Sequence, residues 1–154
     1  MAERVRSAIV TCNVLRVECP EAQKKDTGPL SPATSSPLVY VIDDDASLLR
    51  ALRRLLAAGG FRVCTFSSAE DFLESAETTP ACLVLDVHLG GLSGLDLQER
   101  LLASGRRIPV LFITAHDDAV TRERAHRAGA VDYLRKPFNE DLLIAGIKRA
   151  LGHD

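Results

Sequence analysis

From Leu38 onward, short apolar runs alternate with longer amphipathic segments at a spacing of about 23 residues, the rhythm of repeated strand–helix units. LVYVI at Leu38–Ile42 is a continuous β-rich run, as expected of a strand covered on both faces. A helix is predicted over Ala46–Ala58, with Asp45 or Ser47 to cap it and Gly59-Gly60 to end it. FRVCTF (Phe61–Phe66) predicts the second strand, and Ser68, three residues before Asp71, opens a helix through Ala76 in the manner of a capping box. ACLVL (Ala81–Leu85) is the third strand, followed by a helix over Gly94–Ala103. IPVLFI (Ile108–Ile113) is the fourth, with its proline near the entrance, followed by a helix over Asp118–Ala128 that Gly129 stops. VDYLR (Val131–Arg135) is the fifth, and after Pro137 a last helix runs from an Asn139 cap to Leu151.

Five consecutive units of this kind imply a parallel sheet with helices on both faces, since short connections force right-handed crossovers. The chain is too short for a closed eight-fold barrel. In an open doubly wound sheet the functional crevice lies beyond the carboxyl ends of the strands. The stretch Glu18–Pro37 is rich in proline and small polar residues, with little to bury, so residues 1–37 are expected to form a disordered or poorly structured extension ahead of one domain over 38–152.

Composition narrows the class. With 154 residues, 46% of them hydrophobic and 26% charged, the chain suits a single globular core. Its 19 basic and 21 acidic side chains leave a net charge of −2, too balanced for the cationic surface on which nucleic-acid affinity rests. The longest apolar runs fall far short of the roughly 20 residues that span a bilayer. Arg4, Arg6, Asn13, Arg16 and Glu18 interrupt any secretory segment, so no membrane partner and a cytoplasmic location are expected. The four cysteines read as reduced thiols.

The chemistry gathers at the strand ends. Asp43, Asp44 and Asp45 follow the first strand, Asp86 the third, Thr114 the fourth and Lys136 the fifth, and a parallel sheet brings all of these to one edge. Two carboxylates about 4 Å apart repel by roughly 4 kcal/mol at an effective dielectric of about 20, so the cluster calls for a cation. Hard oxygen donors of this type suit Mg²⁺. Any one of the aspartates taken alone reads equally as a helix or turn cap; their placement together with a threonine and a lysine points to a site.

VIDDD after the first strand, LVLDVHLGGLSG after the third, FITAH after the fourth and VDYLRKPF at the fifth stand in an order and spacing that resembles the receiver domains of two-component response regulators, over about Leu38–Leu151. The resemblance implies a flavodoxin-like sheet of order 2-1-3-4-5 with five helices. It implies that Asp86 accepts a phosphoryl group from a sensor histidine kinase or phosphotransfer protein, without the chain being a conventional turnover enzyme. Asp43, Asp44, Asp86 and the backbone carbonyl of His88 would hold Mg²⁺, Thr114 and Lys136 would bond phosphoryl oxygens, and Tyr133 would turn with Thr114 as a switch. The surface formed by the fourth helix, fifth strand and fifth helix would change and serve partners, a second copy of the chain among them.

Leu89 and Gly90 stand where most receivers carry Met-Pro, which implies a looser loop. His88 and His116, two residues beyond Asp86 and Thr114, occupy positions that tune aspartyl-phosphate lifetime in the family. AGAVDYLRKPF resembles regulators of transcription. Two other functions fit some of the same residues: a degenerate receiver that binds partners without phosphate, and a Mg²⁺-dependent aspartyl phosphatase. For the latter the nucleophile should follow the first strand. A dinucleotide site in GGLSG is disfavoured, because three aspartates fill the first strand–helix turn, where a pyrophosphate would be repelled.

Overall fold

The structure, a computed structural model, describes residues 36–75 and 79–152. The extension expected over 1–37 therefore lies outside the described residues, apart from Ser36 and Pro37. Their carbonyls accept from Arg62, through Nε at 3.1 Å and the backbone amide at 2.9 Å.

Ten elements alternate along the chain: β1 (Leu38–Ile42), α1 (Ala46–Ala58), β2 (Arg62–Phe66), α2 (Ala69–Ser75), β3 (Cys82–Asp86), α3 (Gly94–Ala103), β4 (Val110–Thr114), α4 (Ala119–Arg127), β5 (Asp132–Arg135) and α5 (Glu140–Ala150). The strands form one sheet of order β2-β1-β3-β4-β5 with every neighbouring pair parallel, the doubly wound class expected.

Side chains alternate across a strand, so each buried run supplies two faces. Tyr40, Ile42, Leu83, Leu85, Val110 and Phe112 point to one side, against residues such as Phe72 of α2, Leu97 and Leu101 of α3 and Ala125 of α4. Val39, Val41, Val84, Leu111 and Ile113 point to the other, against Leu49, Leu52 and Leu56 of α1 and Leu143 and Ile147 of α5. Tyr40, Phe66 and Phe72 pack ring on ring at 5.1–5.8 Å between centroids. Burying each such side chain stabilises the fold by about 1.5–3 kcal/mol. α4 is the exception among the helices: it buries only Ala125, and Val120 on its outer face is 76% exposed.

α1 and α3 have the predicted limits. Asp45, not Ser47, caps α1, accepting from the amides of Ser47 at 2.9 Å and Leu48 at 3.2 Å. Asp118 and Asn139 cap α4 and α5 as expected. Asp71 N–H donates to Ser68 Oγ at 3.0 Å. Gly60 and Gly129, with φ of 96° and 84°, turn the chain out of α1 and α4 through the left-handed region.

β1 has the predicted limits, and those of the other strands differ from expectation by one or two residues. β4 starts at Val110 rather than Ile108, since Pro109 has no N–H for the ladder, although its carbonyl takes the Leu83 amide at 2.9 Å. β3 begins at Cys82 rather than Ala81 and runs one residue farther to include Asp86, which pairs with Ile113. β2 and β5 each start one residue later than expected. Cys82 is a free, buried thiol as expected, Cys64 is disulfide-bonded against the expectation of a reduced thiol, and Cys12 and Cys19 lie outside the described residues. Among the described residues no helix is long and apolar enough to cross a membrane.

The connection from β3 to α3 closes by a hydrogen bond from Gly94 N–H to the Val87 carbonyl, 2.9 Å. A Cβ at Gly94 would stand 2.2 Å from the Asp86 carbonyl oxygen, so this glycine is required by packing and not by a bound nucleotide. At Gly90 nothing lies within 4 Å. Gly94→Ala is expected to lower stability by about 2 kcal/mol or more, as overpacking against rigid backbone does, while Gly90→Ala stays within about 0.5 kcal/mol. Urea unfolding midpoints of the two variants check this; equal effects would contradict it.

Candidate functional site

β1 and β3 are neighbours, and Ile42 pairs with Leu85, so the next residue of each strand, Asp43 and Asp86, is delivered to the same edge. The Asp43 amide is held by the Phe66 carbonyl at 3.1 Å, and its side chain is fully buried. Its Oδ1 accepts from the Asp45 amide at 2.9 Å and its Oδ2 from Lys136 Nζ at 2.8 Å. Asp86 is 3% exposed; its Oδ1 accepts from the His88 amide at 3.2 Å and its Oδ2 lies 3.5 Å from Lys136 Nζ. One carboxylate oxygen from each of Asp43, Asp44 and Asp86 lies within 4.8 Å of the others. At that spacing a pair of carboxylates repels by at least about 3 kcal/mol at an effective dielectric of 20.

These contacts shift protonation. Burial, and then the charge of Asp43, pushes the Asp86 carboxyl up to about 6, against the opposing pull of Lys136 and the His88 amide. Burial alone would depress the Lys136 ammonium, but the hydrogen bond and charge of Asp43, followed by Asp86, outweigh it and hold the group above its ordinary value. The Lys136 ammonium is thus paired with a fully buried carboxylate, Asp43, at 2.8 Å. The remaining acidity suits a divalent cation with hard oxygen ligands: three carboxylates converge, and one of them, Asp44, is exposed to solvent.

Thr114 ends β4 and is fully buried. Its hydroxyl donates to the His116 carbonyl at 2.9 Å and accepts from the His116 amide at 3.0 Å, and His88 Nδ1 lies 3.3 Å from the same oxygen. The His88 and His116 rings stand 5.5 Å apart, between centroids, above the strand ends. Lys136 follows β5, its amide bonded to the Thr114 carbonyl at 2.7 Å, so the backbone that places the threonine also places the lysine.

Tyr133, on β5, packs on the apolar cluster beneath α3 and α4, with the Arg122 guanidinium 5.7 Å from its ring centroid. Its hydroxyl is buried and has no hydrogen-bond partner among the described residues. Burial, with the charges of Asp117 and Asp118, holds the phenol above its usual range. Arg122 also pairs with Asp117.

Asp43, Asp44, Asp86, Thr114, Lys136, His88 and His116 therefore come together at one edge, with Tyr133 on the strand that carries Lys136. Asp45 does not join them; it is spent on the α1 cap. Sequence alone did not disclose the Lys136–Asp43 ion pair, the His88–Thr114 contact or the bond from the Leu92 amide to Glu70 Oε2 at 2.9 Å. The first was within reach, since a lysine and an aspartate at neighbouring strand ends attract; the last spans 22 residues and leaves no local signal.

A family model described as the response regulator receiver domain matches residues 39–148. Response regulator protein TmoT of Ectopseudomonas mendocina is 42% identical over 115 residues, covering 74% of this chain and 52% of TmoT. Transcriptional regulatory protein FixJ of Bradyrhizobium diazoefficiens is 40% identical over 114 residues, covering 73% of this chain and 56% of FixJ. The chain thus spans about half the length of these curated relatives. Among solved structures, a response regulator receiver protein from Burkholderia phymatum superposes with a TM-score of 0.68 at 46% identity, covering 77% of this chain and 98% of that one. The crystal structure of FixJ-N gives 0.71 at 33% identity, covering 78% and 97%. A parallel 2-1-3-4-5 sheet whose acidic and basic side chains meet at one edge, matched over most of its length by these proteins, places the chain in the response regulator receiver domain family.

Proposed function

We propose that this chain is a phosphoacceptor switch: Asp86 takes a phosphoryl group from a histidine kinase or phosphotransfer protein, in the cytoplasm. The observation that carries this is the meeting of the Asp43, Asp44 and Asp86 carboxylates with the Lys136 ammonium at the ends of three strands. An Asp86 oxygen attacks phosphorus, the bond from phosphorus to the donor imidazole nitrogen breaks, and the electron pair leaves on that nitrogen, which is protonated. Water later cleaves the acyl phosphate and returns the carboxylate. Phosphoryl transfer demands chiefly positioning and neutralisation of charge. Thr114 Oγ1 and Lys136 Nζ supply donors for the phosphoryl oxygens. Mg²⁺, held by Asp43, Asp44, Asp86 and the His88 carbonyl, would add positive charge against those oxygens.

Output follows from where Thr114 is tied. To bond a phosphoryl oxygen its hydroxyl has to leave the His116 carbonyl, which pulls on the chain leading to α4. That helix is anchored by Ala125 and by exposed ion pairs of Arg124 with Asp96 and Glu99, each at 3.1 Å, so it is the least costly part of the fold to shift. Tyr133, whose buried hydroxyl lacks a partner among the described residues, would move with it. The face of α4, β5 and α5 then presents the change to a partner, such as a second copy of the chain or an output of the transcriptional kind named among the relatives. His88 and His116 flank the acceptor and are placed to tune how long the phosphate stays.

A receiver that binds partners without taking phosphate is the second reading, and it draws on Leu89 and Gly90 in the loop after Asp86. Incubation with Mg²⁺ and acetyl phosphate separates the two. The intact mass should rise by about 80 Da, one phosphoryl group in place of a proton, in wild type and not in Asp86→Asn. No adduct on wild type would favour the second reading.

The raised carboxyl makes stability depend on pH. The folded state holds the Asp86 proton more tightly than the unfolded chain, so the group favours folding most below its ordinary value of 3.8, and that contribution is lost as pH rises toward about 6. With chelator present, wild type should lose on the order of 1 kcal/mol per pH unit across this window relative to Asp86→Asn. Urea unfolding at pH 4.5, 5.5 and 6.5 checks the prediction; parallel profiles for the two proteins would contradict it.

A further inference from the structure

The segment from Val87 to Ser93 leads away from Asp86 and contains the two consecutive glycines Gly90 and Gly91, both exposed, where backbone freedom is greatest. Beyond the contacts of Val87 and His88 at the strand ends, three fastenings shape its course. Its base is closed by the Gly94 amide on the Val87 carbonyl at 2.9 Å, and Leu89, 9% exposed, is sunk into the core. The third comes from α2. Glu70, near the start of α2, reaches over the loop, and its Oε2 accepts the Leu92 amide at 2.9 Å.

This contact is shaped on both sides. A Cβ at Gly91 would stand 2.7 Å from Glu70 Oε2 and 3.3 Å from its Cδ, so the carboxylate occupies the space that the missing side chain leaves. The Leu92 amide, followed by Glu70's own amide and the charge of Arg100, holds the Glu70 carboxyl below its ordinary range, so the acceptor is ionised at neutral pH. Glu70 itself is exposed, and its removal opens no cavity in the core.

We propose that Glu70 is a positioning residue for phosphoryl acceptance, gripping the glycine-rich segment so that the Asp86 side chain and the His88 carbonyl keep the spacing a divalent cation and a phosphoryl group require. The inference rests on the phosphoacceptor reading above. It assigns to α2, an element that contributes no residue to the site, control over how well the site is formed. Loss of the grip frees Gly90 and Gly91 to sample other conformations, which lowers the fraction of molecules with a competent site without unfolding any of them.

The test uses the full chain and three variants. Glu70→Ala removes the acceptor, Glu70→Gln keeps an oxygen for the Leu92 amide, and Gly91→Ala leaves Glu70 in place but displaces its carboxylate. Mg²⁺ affinity by calorimetry and the rate of mass gain from acetyl phosphate are read beside the melting temperature. Glu70→Ala and Gly91→Ala should each weaken Mg²⁺ binding and slow phosphorylation by about tenfold, the lower end of what losing a partner of a ligand-bearing segment costs a metal site. Glu70→Gln should recover most of both, and all melting temperatures should stay within about 3 °C of wild type. Wild-type Mg²⁺ affinity and rate in Glu70→Ala, or a loss that follows melting temperature and is not recovered by Gln, would overturn the proposal. A wild type that gains no mass would sink the phosphoacceptor reading and this inference with it, a result distinct from four proteins that all react at one rate.

Discussion

Two carboxylates forced side by side at the ends of adjacent strands, with one ammonium to share, are the constraint on which the rest of the molecule turns. Because Ile42 pairs with Leu85, nothing short of a register slip can part Asp43 from Asp86. Lys136 reaches them from beyond β5, past the end of β4, and its 2.8 Å bond to Asp43 leaves Asp86 as the less fully compensated partner, at 3.5 Å. Burial, and then the charge of Asp43, raises the Asp86 carboxyl by more than Lys136 offsets. An acidic group that is buried and incompletely neutralised marks a candidate functional site.

The core keeps that strain in place. Each central strand buries both of its faces, so the sheet cannot slide to relieve the repulsion without exposing a whole row of apolar side chains. Rigidity is not spread evenly, however. α1 presents Leu49, Leu52 and Leu56 to the sheet, whereas α4 presents Ala125 alone. The stiff side of the molecule holds the acidic pair, and the thinly packed helix lies one short connection away from Thr114. A local change at the strand ends therefore has one direction in which it moves structure most cheaply.

Much of this was legible in the sequence, for reasons that can be traced residue by residue. Continuous apolar runs such as LVYVI and VLFI have few alternatives to a buried parallel strand, and side-chain caps at Asp45, Asp118 and Asn139 mark helix starts by local hydrogen bonding. Asp43, Asp86, Thr114 and Lys136 stood out because a parallel sheet turns positions distant in sequence into neighbours at one edge. What the sequence concealed depends on three-dimensional distance. Gly94 looks like any glycine at a helix start until the Asp86 carbonyl is found in the place of its side chain. Glu70 looks like a surface charge until the Leu92 amide is found beneath it. Strand ends slipped by a residue or two because β2, β3 and β5 start where ladder pairing begins, not where hydrophobicity does, and because Pro109 delays β4.

The central claim is that converging acidic groups make this edge a cation site. It is tested most directly by the melting temperature with and without millimolar Mg²⁺, in wild type and in Asp44→Asn. Asp44 is exposed, so its substitution disturbs no core packing. A cation that binds only the folded chain must raise its melting point. Mg²⁺ should therefore raise the wild-type melting temperature clearly and that of Asp44→Asn much less. An unchanged wild-type melting temperature in Mg²⁺ would contradict the account.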